Sequence, residues 1–146
     1  MAESREDEGF FIVDPDWRTV LPLAPFAMPR RLARTLRQDR FSFSIDRDFE
    51  AVIDLCAAPA ADREDTWINP DIRALYLALY AQGAAHSVEA RIDGALVGGL
   101  YGVAIGGAFF GESMFSRATD ASKAALVHLA ARLRFGGFKL LDAQFT

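Results

Sequence analysis

Residues 87–115 read SVEARIDGALVGGLYGVAIGGAFFGESMF, and the way this stretch folds decides the architecture of the chain. From Gly94 to Phe110, between Asp93 and Glu112, it carries no charge, and Gly94, Gly98, Gly102 and Gly106 recur at the GxxxG spacing of packed transmembrane helices. A β-meander accounts for it better. Ser87 to Ile92 alternates before Asp93-Gly94, a pair in which both residues tolerate positive φ and so close a tight hairpin. Gly106-Gly107 then separates two apolar runs, Leu96 to Ile105 and Ala108 to Phe115. Each glycine would also cost a helix about 1 kcal/mol. The sequence therefore predicts three strands.

Helices are expected around this meander. Pro29 suits a first helical position, and Leu32 with Leu36 gives Pro29 to Gln38 one apolar stripe. Asp48 is placed to cap a helix with Val52, Ile53 and Cys56 inward, ending before Pro59. Asn69-Pro70 opens another, with Ile72, Leu75, Tyr76 and Leu79 inward and Gly83 ending it. A fourth runs from Asp120 to about Phe135, with Leu126, Leu129 and Leu133 on one side and Gly136-Gly137 after it. Phe41, Phe43 and Ile45 alternate as a strand, and Phe138 to Phe145 reads as a last one. This order is α+β, a mostly antiparallel sheet flanked by helices, and it is similar to the acyl-CoA N-acetyltransferase core. The loop Phe115 to Lys123, where that fold cradles a pyrophosphate, has no glycine, and Asp120 would put a negative charge there.

Composition narrows the function. With 146 residues, 51% apolar and 25% charged, the chain is sized and composed for a single domain. Sixteen Lys and Arg against twenty Asp and Glu give a net charge of −4, so it is not basic overall. The charge is uneven: acids dominate residues 1–16, whereas Arg30, Arg31, Arg34, Arg37 and Arg40 face only Asp39 in the stretch 29–40. The single cysteine, Cys56, excludes an internal disulfide, and with two distant histidines it argues against a zinc site. No secretory pattern opens the chain, so the expected compartment is the cytoplasm, without a membrane anchor.

Neither a GxGxxG nor a P-loop occurs, and Ser113 lacks the second glycine of a nucleophile elbow. His86 and His128 read as packed or surface residues. Asp142 and Gln144, two apart on a strand, project from one face, with Leu141 and Ala143 on the other. Such a pair is either a solvated edge or a helix-capping pair, or else a means of holding an amine, the acid polarising the amide. Glu112, within a run of aromatics, is either a functional contact or a partner for Arg117. Trp67 is either a hydrophobic staple onto the helix after it or a platform for a base. Arg30, Arg34 and Arg37 share one helix side, as a solvated face or as phosphate contacts.

Taken together, these segments resemble the leucyl/phenylalanyl-tRNA–protein transferases over nearly the whole chain. The matching strings are Thr66-Trp67-Ile68, Ala85-His86-Ser87-Val88-Glu89, the run Leu96 to Gly102 (LVGGLYG), Gly111 to Ser116 (GESMFS), Ala121 to Leu126 (ASKAAL) and Asp142-Ala143-Gln144. Asp14-Pro15, Arg18, Leu21-Pro22-Leu23 and Asp46-Arg47-Asp48-Phe49 also fit. The resemblance implies transfer of Leu or Phe, and less well Met, from aminoacyl-tRNA to an N-terminal Arg or Lys of a protein acceptor, marking it for N-degron degradation in bacteria. It implies that Gln144 orients or deprotonates the acceptor amine and that Asp142 polarises Gln144, with no metal or cofactor. Leu100, Phe109, Met114, Leu126, Leu129, Leu133 and Leu141 match positions around the transferred side chain. Trp67 and Glu112 match positions near the terminal adenosine and aminoacyl group. Arg30, Arg31, Arg34 and Arg37 match a basic patch for the tRNA acceptor stem.

Two departures stand out: Asp-Ala-Gln replaces the usual Asp-Cys-Gln or Asp-Thr-Gln, and the N-terminal aromatic pair is represented only by Phe10-Phe11. By the same resemblance the chain is expected to be the central part of a longer enzyme, with its last strand left as an open edge. Coenzyme A-dependent N-acetyl transfer and tRNA binding without transfer are the alternative readings.

Overall fold

The computed structural model describes residues 20–23, 30, 33–34, 40–58 and 68–142. Along the chain these form β1 (Val20–Pro22), β2 (Ser42–Ile45), α1 (Phe49–Ala57), α2 (Pro70–Ala81), β3 (Ala85–Ile92), β4 (Ala95–Ile105), β5 (Ala108–Ser116), α3 (Ala121–Phe135) and β6 (Leu140–Asp142). The charge-free glycine-rich stretch is thus two strands of a meander. Asp93 and Gly94 both take positive φ (50° and 83°), the backbone a two-residue hairpin needs to follow the twist of its strands.

Six strands form one sheet in the order β1-β6-β5-β4-β3-β2. Every pairing is antiparallel except β5 with β6, which run parallel because α3 crosses over between them. The expected open edge at the last strand is corrected here: β6 lies inside the sheet, with Val20 opposite Asp142 on one side and Phe110 opposite it on the other. β1 itself escaped the sequence reading, because three residues containing a proline show no periodicity.

The two faces of the sheet bury separate cores. On one, α3 lays Ala121, Ala124, Ala125, Leu129 and Leu133 against Val88, Leu100, Phe109 and Leu141. On the other, α1 and α2 place Val52, Ile53, Cys56 and Ile72 against Tyr101 and Phe115. The helix caps follow the sequence in part. Asn69 Oδ1 accepts the Ile72 N–H at 2.9 Å and Pro70 starts the helix, as expected. Asp48 precedes α1 without a capping hydrogen bond and accepts from Arg91 instead. Leu75, expected inward, is 40% exposed, while Ile72 is the α2 residue fully in the core. Of the expected helix over 29–38, Arg30, Ala33 and Arg34 have helical backbone and the rest lies outside the described residues.

Two of the quoted sequence strings meet in one polar tie. Buried Glu89 of β3 accepts from Ser44 Oγ (2.6 Å), the Arg47 N–H (3.0 Å) and Ser87 Oγ. Beside it, Asp46 accepts the Ser87 N–H at 2.9 Å, and its carbonyl accepts the Tyr80 hydroxyl at 3.0 Å. Asp46 sits at φ 57°, so these contacts hold the β2–α1 turn in a conformation it would not otherwise prefer. A buried carboxylate is tolerated because each neighbour is a donor.

The face that carries α3 depends on Gly98. A Cβ there would lie 2.6 Å from the Ala121 Cβ and 2.8 Å from its backbone, so any side chain would lift the first turn of α3 off β4. Gly98→Ala should therefore cost about 1–3 kcal/mol, lowering Tm by roughly 2–4 °C per kcal/mol. Gly107→Ala, which meets first a flexible Lys139 side chain at 3.3 Å, should stay within about 0.5 kcal/mol. Thermal melts of the two variants beside wild type check both; equal Tm values would contradict the packing argument.

Candidate functional site

A β-bulge organises the site. β4 and β5 pair in register until Gly102 meets Gly111, after which Tyr101 pairs with Ser113, so Glu112 is one extra residue in β5. A bulge reverses the alternation of the strand beyond it. Phe109 and Met114, five residues apart, would otherwise lie on opposite faces, yet Phe109 packs in the α3-side core and Met114 pairs with Leu100 of that same core. The Phe109 ring covers the place where a Gly102 side chain would stand, which leaves the bulge room to close against β4.

Between this bulge and α3 lies a cavity of about 300 Å³. Its apolar wall is Leu100 and Met114 from the meander, Leu126 and Leu129 from α3, and Leu141 from β6; Gly111, Glu112 and Ser113 complete it at the bulge. That volume is at the small end of the range for ligand sites, about 300–1,000 Å³. Met114 is 45% exposed at its edge, a large apolar side chain left to solvent where the cavity opens. The structure therefore brings five of the seven residues expected around a side-chain pocket onto one cavity wall. Phe109 and Leu133 are buried in the same core but do not line it.

The remaining expected site residues fall differently. Asp142 is buried and, by strand alternation, projects to the face opposite Leu141. Gln144 and Trp67 lie outside the described residues, as do Arg31 and Arg37. Arg30 and Arg34 are exposed, one helical turn apart. Asp120 stands at φ 63° immediately before α3. Ser116 Oγ accepts the Ser122 N–H at 3.2 Å and donates to the Ala118 carbonyl at 2.9 Å, so the start of α3 is closed on its own chain.

Two residues around Glu112 have no site role in the sequence reading, which gives Tyr76 only as inward on its helix and Tyr101 only within the LVGGLYG run. The Tyr76 hydroxyl of α2 hydrogen-bonds the Glu112 carboxylate, and its ring meets that of Tyr101 edge-on at 5.1 Å. Burial, then the nearby Glu112 charge, pushes the Tyr76 phenol well above the usual tyrosine range. Burial does the same to Tyr101, reinforced by Cys56, Tyr76 and Glu112. Helical spacing marks Tyr76 as inward, but nothing in it shows that its hydroxyl meets a carboxylate 36 residues later. The histidines serve the scaffold: His86 Nδ1 lies 2.7 Å from Asp46 Oδ2, and His128 stacks on Phe43 at 4.6 Å.

The sequence profile described as leucyl/phenylalanyl-tRNA protein transferase matches residues 20–146. The chain is 60% identical over its full length to a leucyl/phenylalanyl-tRNA–protein transferase of Rhodopseudomonas palustris (strain TIE-1), and 59% identical over 99% of its length to that of Caulobacter vibrioides (strain NA1000 / CB15N). It spans 65% and 67% of those two proteins. Among solved structures, it is similar to the C-terminal domain (DUF2156) described for a lysylphosphatidylglycerol synthetase of Agrobacterium fabrum. That likeness has a TM-score of 0.57 and 14% identity, over 89% of this chain and 46% of that one. L-PGS from Bacillus licheniformis aligns with a TM-score of 0.58 and 12% identity, over 87% and 44%. At such identities the likeness is one of fold.

The tyrosine environment makes a testable statement about pH. An acid whose pKa is raised by folding stabilises the folded state fully below its unfolded value, near 10 for tyrosine, and loses that contribution as pH rises above it. Tyr76 and Tyr101 should stay protonated through pH 11 while the protein is folded. The tyrosinate absorbance gained between pH 9 and 11 should thus be the same in wild type and in the Tyr76→Phe/Tyr101→Phe variant. A smaller gain in the variant would show that these phenols titrate normally.

Proposed function

The chain belongs to the leucyl/phenylalanyl-tRNA protein transferase family, and from that premise we propose that it moves Leu or Phe, and less well Met, from a charged tRNA to the N-terminal Arg or Lys of a protein. The observation that carries this reading is the apolar cavity ending at Glu112, with room for one side chain unbranched at Cβ and a carboxylate at its polar end. Leucine and phenylalanine branch beyond Cβ and enter such a slot, whereas the Cβ methyls of Ile and Val crowd its walls. The closed start of α3 and Asp120 speak against coenzyme A as the acyl carrier, because a pyrophosphate would meet a negative charge and engaged amides. The parallel β5–β6 pair across α3 suits an acetyltransferase-like fold put to a different acyl donor.

In this mechanism the acceptor α-amine, neutral when it reacts, attacks the ester carbonyl that joins the amino acid to the 3′-terminal ribose. The new C–N bond forms, the C–O bond breaks, and the amine's proton passes to the ribose 3′ oxygen as it leaves. Gln144 holds the amine, and Asp142, buried on β6, polarises Gln144. Trp67 supports the terminal adenosine. Arg30, Arg31, Arg34 and Arg37 hold acceptor-stem phosphates, which gives affinity without sequence reading. The ester is already activated, so neither metal nor cofactor enters, and the reaction belongs in the cytoplasm where charged tRNA and protein N-termini meet. Marking proteins for N-degron degradation is its consequence.

The test is transfer of radiolabelled amino acid from charged tRNA to peptides beginning with Arg, Lys or Ala. Leu and Phe should be transferred to the Arg and Lys peptides, with Ile and Val slower by about 10–200-fold. Arg34→Ala should weaken tRNA binding and flatten its salt dependence. Absence of transfer, or transfer to the Ala peptide at the same rate, would contradict the proposal.

A further inference from the structure

Tyr101 has no task in the mechanism above, and its surroundings give it one. It lies in the middle of β4 and is fully buried, its ring edge-on to Phe49 at 5.9 Å and to Tyr76 at 5.1 Å. Its hydroxyl has no hydrogen-bond partner among the described residues. A phenylalanine would pack as well and avoid stranding a polar atom, so a buried hydroxyl of this kind calls for a reason. Its position supplies one, since Tyr101 stands directly opposite the bulge, where Glu112 and Ser113 together face one residue of β4. Glu112 already accepts the Tyr76 hydroxyl, and its charge acts on Tyr101 as well. A carboxylate offers about four acceptor sites on two oxygens, so it can take a second phenol and still face a ligand. The same Glu112 forms the polar end of the cavity.

We propose that Tyr101 is a positioning residue for Glu112. On this account, which rests on the reading that an aminoacyl group fills the cavity, the incoming α-ammonium draws the Glu112 carboxylate toward it. One oxygen then takes both the Tyr76 and the Tyr101 hydroxyls, while the other faces the ammonium. The hydroxyl that has no partner among the described residues thus becomes the second donor to Glu112 in the bound protein. Stability is given up at Tyr101 for an anion held in a fixed direction beside the reacting ester.

Steady-state transfer from Phe-tRNA, measured with Tyr101→Phe, Glu112→Gln and the double variant of the purified protein, tests this. Tyr101→Phe should lower kcat about tenfold with KM for Phe-tRNA within about twofold, because phosphate contacts are untouched. Its Tm should equal or exceed that of wild type, since the stranded hydroxyl is gone. In the Glu112→Gln background the same change should do nothing further. Wild-type kcat in Tyr101→Phe, or an equal loss in both backgrounds, overturns the proposal. Should Tyr101→Phe fold poorly, 3-fluorotyrosine at position 101 keeps shape and hydroxyl while strengthening the donor, and an unchanged kcat there would overturn it equally. A wild-type protein that transfers nothing refutes the underlying reading instead, so the two failures are distinct.

Discussion

The approach of α3 to β4 is the contact on which the rest of the molecule depends. Gly98 carries no side chain, so Ala121 rests directly on the strand, and farther along the helix Leu129 and Leu133 fill the interface with larger side chains. Ala121, Ala124 and Ala125 seal one end of the interface, while Leu126 and Leu129 reach across the space that opens beyond them. A cavity in a protein interior normally collapses or fills, because close packing is the rule. Here the Gly98–Ala121 contact fixes one end of α3 on β4, and the chain leaves its other end for β6, whose Leu141 lines the cavity.

The bulge at Glu112 decides what those walls can do. It turns Met114 onto the α3 face beside Leu100, and it leaves a carboxylate at the junction between an apolar cavity and a tyrosine-lined polar cluster. The two faces of the sheet thus contribute different chemistry to one place: bulk and shape from the α3 side, hydroxyl donors from the α2 side. The Glu89 and Asp46 contacts tie the turn between β2 and α1 to β3.

Much of this architecture was legible in the sequence, for local reasons. Asp93-Gly94 and Gly106-Gly107 announce hairpins by their backbone freedom, and Asn69-Pro70 announces a helix start by its capping chemistry. What escaped depends on contacts between distant segments. β1 is too short to show a period, and it pairs with a strand more than a hundred residues later, which removes the expected open edge. Leu75 fits a helical stripe, yet α2 packs through Ile72, Tyr76, Leu79 and Tyr80 and leaves that leucine exposed. The residues of the cavity wall were recognised through family resemblance, since composition alone makes them ordinary core leucines. Tyr101 stands within the matching LVGGLYG run and Tyr76 on a helical stripe, yet neither pattern shows that their side chains meet at Glu112, because a hydroxyl's surroundings are set by the fold.

The proposed transfer requires that the cavity under α3 receive the side chain being moved. A crystal structure with an adenosine carrying phenylalanine through a hydrolysis-resistant 3′-amide shows whether it does. The phenyl ring is expected between Leu100, Met114, Leu129 and Leu141. Density for the ring elsewhere on the protein, with that cavity unfilled, would contradict it.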